Sequence, residues 1–240
     1  MATRINKYLS EVGYCSRRGA DRLIEEGKVT INGKVSEIGA KVDAGDYVEV
    51  EGKKIAKSER KKNKYLIFNK PVGIVCTTDR RVESENIIDF IKYPKRIFPI
   101  GRLDKLSEGL IFLTDDGDIV NKILRARNNH EKEYVVSVNR PINKSFIKSM
   151  SNGIEILDTI TKNCLVEQLG PKTFKIVLTQ GLNRQIRRMC ETLGYRVKSL
   201  KRVRIMNIKL DIPIGKYREF TKKELSELNE LLENSSKISD

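Results

Sequence analysis

Residues 96–118 read RIFPIGRLDKLSEGLIFLTDDGD, a stretch in which two apolar runs flank a polar turn. The runs are residues 97–100 and 110–113, with Gly101 and Gly109 at the borders of the turn. Short apolar runs bounded by glycine are typical of buried strands, so the sequence predicts a strand, a loop and a second strand. Asp104 lies in that loop, where the flanking strands would hold its carboxylate in a fixed position.

The chemistry of Asp104 depends on its charged neighbours. Arg102 and Lys105 stand close to it in the sequence, and a nearby opposite charge keeps a carboxylate ionised when water is excluded. An ionised aspartate can serve as a nucleophile. Aspartate also accepts hydrogen bonds in ordinary turns, and spacing alone favours this second role.

Composition indicates a folded, basic protein with a polyanionic partner. The 240 residues include 47 Lys and Arg against 32 Asp and Glu, which gives a net charge of +15 and a pI near 9.6. The length allows one large and one small domain, or a single large α/β fold. Because the charges are mixed with apolar runs along the chain, we interpret them as the surface of a folded protein that binds nucleic acid.

Several classes of site and location are disfavoured. No apolar run approaches the ~18 residues of a membrane span, and the N terminus has no signal-peptide core, so we expect a soluble cytoplasmic protein that does not bind membranes. The four cysteines are scattered without a C-x-x-C pair and the chain has one histidine, His130, so we expect no metal site. The acidic residues of the segment 115–118 favour helix capping over metal binding.

Residues 1–50 form a predicted small α+β domain. Apolar residues at helical spacing in 5–12 predict one helix, and Ser16 caps a second helix that ends near residue 26. Strands are predicted at 29–31 and 47–50. This module contains many charged residues that a generic small domain would simply expose to solvent.

The charged residues 51–63 are interpreted as a linker, whose lysines either touch RNA nonspecifically or only solvate a tether. A second domain is predicted at 64–233 and a frayed tail at 234–240. The predicted strands of the second domain are 65–68, 74–77, 97–100, 110–113, 131–139, 154–157, 163–168, 174–179 and 196–204. Its predicted helices are 86–91, 118–126, 144–150, 180–194 and 221–232.

The segment 180–194 carries the second cluster of candidate site residues. Its apolar residues share one helical face, and Arg184, Arg187 and Arg188 are predicted on the opposite face. A solvated basic stripe is one interpretation of this pattern. The other is that one arginine reaches into a cleft.

Four segments carry a resemblance to a known family. FNKPVGIVCTT, FPIGRLDKLSEGLIFLT, the Lys-Glu-Tyr run at 132–134 and LTQGLNRQIRRMCETLGY resemble the motifs of bacterial ribosomal RNA pseudouridine synthases, in family order. They look closest to the F type, which acts on 23S rRNA. The N-terminal RINKYLSEVGYCSRRGADRLIEEGKVTINGK resembles the S4 RNA-binding domain. The resemblance implies an α+β protein, with a small S4 domain followed by a catalytic domain built on a mixed, mainly antiparallel sheet with flanking helices.

The resemblance also implies roles for individual residues. Asp104 would be the nucleophile, Arg187 would lie against its carboxylate, and Tyr134 would stack on the target base and is a candidate acceptor of the C5 proton. Arg102 would fill the space that the extruded base leaves. The Asn-Lys-Pro turn at 69–71 would support the site without a catalytic role.

Basic residues outside the catalytic group are the predicted RNA contacts. In the S4 module these are Arg17, Arg18, Arg22, Lys28 and Lys34, and beside the catalytic helix they are Arg184 and Arg188.

The implied reaction is the isomerisation of a specific uridine to pseudouridine after base flipping. Because it changes neither the atoms nor the redox state of the nucleotide, no cofactor is expected. Ribosomal RNA, 23S in particular, is the expected partner, with other structured RNA such as tRNA as a further candidate, and we expect a monomer. Two alternatives remain: a noncatalytic S4-containing RNA-binding or ribosome-assembly protein, and an aspartate-based RNA hydrolase, which would need a metal or a second acid.

Overall fold

The computed structural model describes residues 2–55, 63–78, 83–125, 128–233 and 235. The chain separates into two compact units, Met1–Asn63 and Lys64–Asp240. Both combine helices with sheets, so the predicted α+β class is confirmed. No helix among the described residues has both the length and the apolar character needed to cross a bilayer.

The first unit packs two helices on a small antiparallel sheet. Its helices and strands are β1 (Thr3–Arg4), α1 (Ile5–Glu11), α2 (Arg17–Glu25), β2 (Val29–Ile31), β3 (Lys34–Val35), β4 (Lys41–Val42), β5 (Val48–Val50) and β6 (Lys53–Ile55). The sheet order is β3-β2-β5-β6, with β1 and β4 as a separate pair. Ser16 caps α2 as predicted, because its hydroxyl accepts from the Gly19 amide. The segment 51–63, interpreted as a linker, includes strand β6 of this sheet. Residues 56–62 of that segment lie outside the described residues.

The second unit is built on one large sheet, whose described strands follow the order β13-β14-β10-β15-β9-β7-β17, with β8 beside β9 and β16 beside β15. All of these pairs are antiparallel except β9 with β15. Strands β11 and β12 form a separate pair. The strand bounds are β7 (Tyr65–Lys70), β8 (Phe98–Ile100), β9 (Glu108–Thr114), β10 (Lys132–Val138), β11 (Glu155–Ile156), β12 (Thr159–Ile160), β13 (Leu165–Gly170), β14 (Thr173–Leu178), β15 (Val197–Ile205), β16 (Ile208–Lys209) and β17 (Tyr217–Glu219).

Helices cover both faces of this sheet. Helices α3 (Ile87–Ile91), α5 (Lys144–Ser151) and α6 (Gln185–Thr192) pack on one face, and α4 (Gly117–Leu124) and α7 (Lys222–Leu232) pack on the other. Successive residues of β9 therefore enter opposite cores, with Ile111 and Leu113 on the first face and Leu110 and Phe112 on the second. Burial on both faces explains why residues 110–113 form an unbroken apolar run.

The parallel pairing of β9 with β15 depends on Gly109, which is paired with Arg202. A Cβ at Gly109 would lie 2.3 Å from the Arg202 carbonyl oxygen, and the Gly109 φ of +106° is open mainly to glycine. Glycine thus permits the contact that places the start of β9 against β15. The loop that precedes β9 takes its position from this contact.

The strand predicted at 74–77 is wrong. Only Val75 makes a bridge, to Asn86, and the rest of the segment is an irregular turn. The Lys70 ammonium donates to the carbonyl oxygens of Pro71 and Ile74, both at 2.8 Å. These carbonyls are therefore turned toward the lysine, and the turn packs beneath the Asp104 loop.

Candidate active site

The Asp104 loop spans residues 101–107, between β8 and β9 as predicted. Three hydrogen bonds fix its backbone: the Leu103 amide donates to Cys76 Sγ at 3.3 Å, the Gly73 amide to the Lys105 carbonyl at 2.8 Å, and the Ser107 amide to the Asp104 carbonyl at 3.0 Å. Gly73 and Cys76 both belong to the turn that Lys70 holds. The loop therefore rests on a rigid support.

Asp104 and Arg187 are 83 positions apart in sequence and lie together in the structure. Arg187 Nε is 3.8 Å from Asp104 Oδ2. The carboxylate side chain is 34% exposed, whereas the arginine side chain is 7% exposed. Arg187 Nη2 also donates to the Leu106 carbonyl at 2.8 Å and to Ser107 Oγ at 3.1 Å. The guanidinium thus faces the carboxylate and holds the loop that carries it.

Burial lowers the pKa of Arg187, and the negative charge of Asp104 opposes that shift. Arginine stays protonated even so, because its usual pKa is far above neutrality. The partly exposed Asp104 carboxylate therefore has a permanent cation, the buried Arg187, beside it. Such a carboxylate can approach a reacting atom from the solvent side while the arginine holds it from below.

The solvated basic stripe, one of the two interpretations of α6, is wrong in two respects. Arg187 is buried together with the apolar residues of the helix. Arg184 is the N-cap, with a left-handed φ of 51°, so it lies outside the helical repeat. Arg188 is partly exposed and donates to Asn183, through Nε to the carbonyl at 3.1 Å. The helix therefore exposes fewer charges than its spacing suggested, because the site lies on its buried side.

Tyr134 lies on β10, in the alternation of buried residues that the sequence predicted. Its ring is 9% exposed and belongs to the same apolar cluster as Leu103 and Ile186, which are the neighbours in sequence of Asp104 and Arg187. Strand register places Tyr134 opposite Arg202, and Arg202 is paired with Gly109, which follows the Asp104 loop in the chain. Arg102 is exposed on the Asp104 loop, and Lys105 forms an ion pair with Glu83 at 2.9 Å.

The predicted RNA contacts of the first unit are all exposed: Arg17, Arg18, Arg22, Lys28 and Lys34. Lys28 differs from the others because it forms ion pairs with Glu26 at 2.7 Å and Glu51 at 3.4 Å. Its charge is already balanced by two carboxylates. Arg17, Arg18 and Arg22 lie along α2.

Sequence reasoning missed three buried basic residues near the site. Lys70, Lys132 and Arg202 are at most 7% exposed. Lys70 was interpreted only as part of a supporting turn, Lys132 only as part of the Lys-Glu-Tyr run, and Arg202 only as part of the strand predicted at 196–204. The alternation along β10 places Lys132 on the same side as Tyr134 and could have indicated its burial.

Metal binding finds no support in the part of the chain that the structure describes, where no group of three or more His, Cys, Asp or Glu side chains could hold an ion. Asp115 instead accepts from the Lys64 amide at 2.7 Å, and Asp116 caps α4 by accepting from the Asp118 amide at 2.9 Å. Two members of this acidic cluster therefore have structural roles.

Comparisons with known proteins place both units in families. Residues 64–192 match the RNA pseudouridylate synthase family, and residues 3–48 match the S4 domain. The chain is 56% identical over 236 residues to the dual-specificity RNA pseudouridine synthase RluF of Escherichia coli, covering 98% of this chain and 81% of the relative. It is 34% identical over 240 residues to ribosomal large subunit pseudouridine synthase B of Bacillus subtilis, covering 96% of this chain and 97% of the relative.

A solved structure described as a pseudouridylate synthase is similar over nearly the whole chain. It is 28% identical, with a TM-score of 0.68, and the match covers 95% of this chain and 99% of that chain. The resemblance first drawn from the sequence motifs is thus confirmed by sequence and by fold. This chain belongs to the RNA pseudouridine synthase family and carries an N-terminal S4 domain.

Proposed function

We propose that this protein isomerises a specific uridine of 23S ribosomal RNA to pseudouridine, with Asp104 as the nucleophile or charge stabiliser beside the sugar. The observation that carries the proposal is the Asp104–Arg187 pair, in which a partly exposed carboxylate lies 3.8 Å from a buried guanidinium. The hydrogen bonds that fix the Asp104 loop to Cys76 and Arg187 also support the proposal, because a catalytic group must be held in a fixed geometry.

The reaction requires the target nucleotide to leave its stack, because its reacting atoms are not accessible inside a helix. Tyr134 is the candidate aromatic ring for stacking on the flipped base, and its strand register with Arg202 and Gly109 supports this role. Arg102, exposed on the same loop, is the candidate to fill the position that the base vacates. The basic residues of the S4 domain would hold the RNA through its phosphates.

The assignment to 23S rRNA follows the motif resemblance and the names of the relatives, one of which is a ribosomal large subunit enzyme. The Escherichia coli relative is named dual-specificity, so tRNA is a second substrate worth testing. A noncatalytic role in binding RNA would need only the S4 domain and the basic surface, and would be indifferent to Asp104.

The decisive experiment compares wild type with Asp104→Asn on unmodified 23S rRNA and on total tRNA transcripts. Pseudouridine is mapped chemically at nucleotide resolution, and RNA affinity is measured in parallel. We expect Asp104→Asn to lower the rate at least ~10³-fold while affinity changes less than about threefold, since shape and surface charge are retained. Asp158→Asn, at an exposed turn, is the matched control and should have full activity.

Unchanged turnover by Asp104→Asn would refute the catalytic role of this aspartate. Wild type that binds RNA and forms no pseudouridine in either RNA class would favour the noncatalytic alternative. Modification of tRNA alone would contradict the assignment to ribosomal RNA.

A further inference from the structure

The interior of the second unit holds an unusual excess of positive charge. The charged side chains that are buried among the described residues are Lys70, Lys132, Arg187 and Arg202, and no buried carboxylate accompanies them. Arg187 faces Asp104, and Lys70 interacts electrostatically with Asp104 and Glu108, which accounts for two of the four. Burying a charge without a counter-charge is costly, so Lys132 and Arg202 call for an explanation.

The strand register places Lys70, Arg202 and Tyr134 in one row across the sheet. Arg202 is paired directly with Tyr134 on β10 and with Gly109 on β9, and Gly109 is paired in turn with Lys70 on β7. Lys132 precedes Tyr134 by two residues, so its side chain leaves the same face of β10. Arg202 and Lys132 are therefore the two buried cations that adjoin, in strand register, the tyrosine that is the predicted partner of the base.

The bonds of these cations go to neutral groups. Arg202 Nε donates to the Leu110 carbonyl at 2.6 Å, and its Nη2 is buried with no hydrogen-bond partner among the described residues. Lys132 Nζ donates to the His130 carbonyl at 3.2 Å. Burial, with the nearby charge of Arg202, lowers the pKa of Lys132 to about 8. The positive charges of Arg202 and Lys132 are therefore available to act on a group that becomes negative during the reaction.

The proposed reaction creates such a group. When the N1–C1′ bond breaks, its electron pair stays on uracil, and the negative charge spreads over N1, O2 and O4. In the ribose route an Asp104 oxygen bonds to C1′ as N1 leaves, and in the glycal route Asp104 takes the C2′ proton. After the base turns, C5 donates an electron pair to C1′ while the C1′–Asp104 bond breaks or C2′ regains its proton, the C5 proton leaves to a base, and N1 takes up a proton. Both attack on the ribose and the glycal route pass through the anionic base.

We propose that Arg202, assisted by Lys132, supplies a fixed positive potential that stabilises the uracil while it carries this negative charge. The inference rests on the proposed function and adds residues to the same site. Arg202 is 4% exposed, so it acts through its field across a water-poor interior and does not touch the base. Arg202 therefore supports the reaction electrostatically from a distance, whereas Asp104 and Tyr134 are proposed to contact the substrate.

The test uses the stability of the leaving group. A fluorine at C5 withdraws electrons and stabilises anionic uracil, so the fluorinated base needs less help from the protein. Full-length wild type and Arg202→Met are compared in single-turnover reactions on two transcripts of one RNA fragment, made with uridine or with 5-fluorouridine. Breakage of the N1–C1′ bond is followed by mass spectrometry of the digested RNA, and RNA affinity and thermal unfolding are recorded for each variant.

We expect Arg202→Met to slow bond breakage about 100-fold with uridine and less than about 20-fold with 5-fluorouridine, because one preorganised donor typically contributes 10² to 10³ in rate. Arg202→Lys keeps the cation and should recover most of the loss. Arg204→Met is the matched control, since Arg204 lies on the same strand and is already paired with Glu131 and Glu133 at 2.9 and 3.0 Å. Its effect should be small and equal on both substrates.

An equal loss on both substrates by folded Arg202→Met would overturn the inference, since a purely structural defect has no dependence on the leaving group. If Arg202→Met does not fold, Lys132→Met is measured on the same pair of substrates, with the same difference expected and the same equality as the refuting result. Wild type that breaks the bond in neither RNA would refute the proposed function itself, and the inference with it.

Discussion

Two arginines of the second unit, Arg187 and Arg218, occupy opposite kinds of environment. Arg218 binds Asp211 and Glu224, with contacts of 2.6 and 2.7 Å from Nη2. Glu224 in turn completes a capping box with Thr221 at the start of α7. Arg187 has one carboxylate at 3.8 Å and directs its remaining hydrogen bonds to the neutral groups of Leu106 and Ser107.

The difference separates a structural ion pair from a site. Around Arg218 each charge is satisfied at short range, and the carboxylates gain nothing by moving. Around Arg187 the pairing is loose and the carboxylate remains one-third exposed, so Asp104 keeps oxygen lone pairs for a substrate. Closed networks stabilise folds, whereas incompletely satisfied charges mark functional sites.

The largest effect is expected where the loose pair is broken. Arg187→Ala leaves the Asp104 carboxylate without its cation and removes two hydrogen bonds from the loop. We expect activity to fall by about 10³-fold and the free energy of unfolding by roughly 3 kcal/mol, as for other partly buried pairs that lose one partner. Rates per folded molecule and urea unfolding curves measure the two effects.

Arg218→Met is the contrasting variant. It should lower the free energy of unfolding by about 1–2 kcal/mol, because the partly exposed Asp211 and Glu224 lose their partner, and leave the rate per folded molecule within about twofold. Normal rates for Arg187→Ala, or a selective loss of rate for Arg218→Met, would contradict the distinction between a functional pair at Arg187 and a structural network at Arg218.

A smaller effect, on the free energy of unfolding, is expected from the charge of Glu224. Hydrogen bonds from Arg218 hold the pKa of Glu224 down to about 2, below its usual value of 4.5. The group binds fewer protons in the folded state, so its contribution to stability is complete above pH 4.5 and is lost as the pH falls toward 2. Because the side chain is partly exposed, we expect about 1–2 kcal/mol at pH 7.

Glu224→Gln keeps the capping geometry and removes the charge. The difference in unfolding free energy between wild type and this variant, measured in urea at pH 7, 4.5 and 3, should shrink as the pH falls. A difference independent of pH would show that the Arg218 network stabilises α7 by shape alone.

The smallest effect concerns paired and unpaired cations of the S4 domain. Arg22 forms no ion pair within the described residues 2–55, whereas Lys28 is held by Glu26 and Glu51. We expect Arg22→Gln to weaken RNA binding about threefold at physiological salt and to reduce the salt slope by about one. Lys28→Gln should change affinity less than about twofold. Filter-binding titrations across salt concentrations compare them, and a larger loss for Lys28→Gln would show that its ion pairs open on binding.

The sequence determined much of the fold because apolar periodicity and capping chemistry act locally. The strands around the Asp104 loop, the buried face of β10 and the capping box at Thr221 all follow from residues within a few positions of each other. The motif order also determined the family. The predicted strand at 74–77 failed because its backbone groups bond to scattered partners: the Ile74 carbonyl accepts from Lys70, and Val75 bonds to the backbone of Glu85 and Ile87.

Tertiary structure decided that Arg187 and Arg202 are inside. Helical spacing left Arg187 either on a solvated face or in a cleft, and the strand predicted at 196–204 gave no sign that Arg202 is inside, yet both are buried. A charge is predicted to be exposed because burial is costly, and that cost is offset only by partners that are distant in sequence: the 101–107 loop for Arg187 and β9 for Arg202. The sequence therefore specified Asp104 and the strands that hold it, while the folded chain decided which cations surround it.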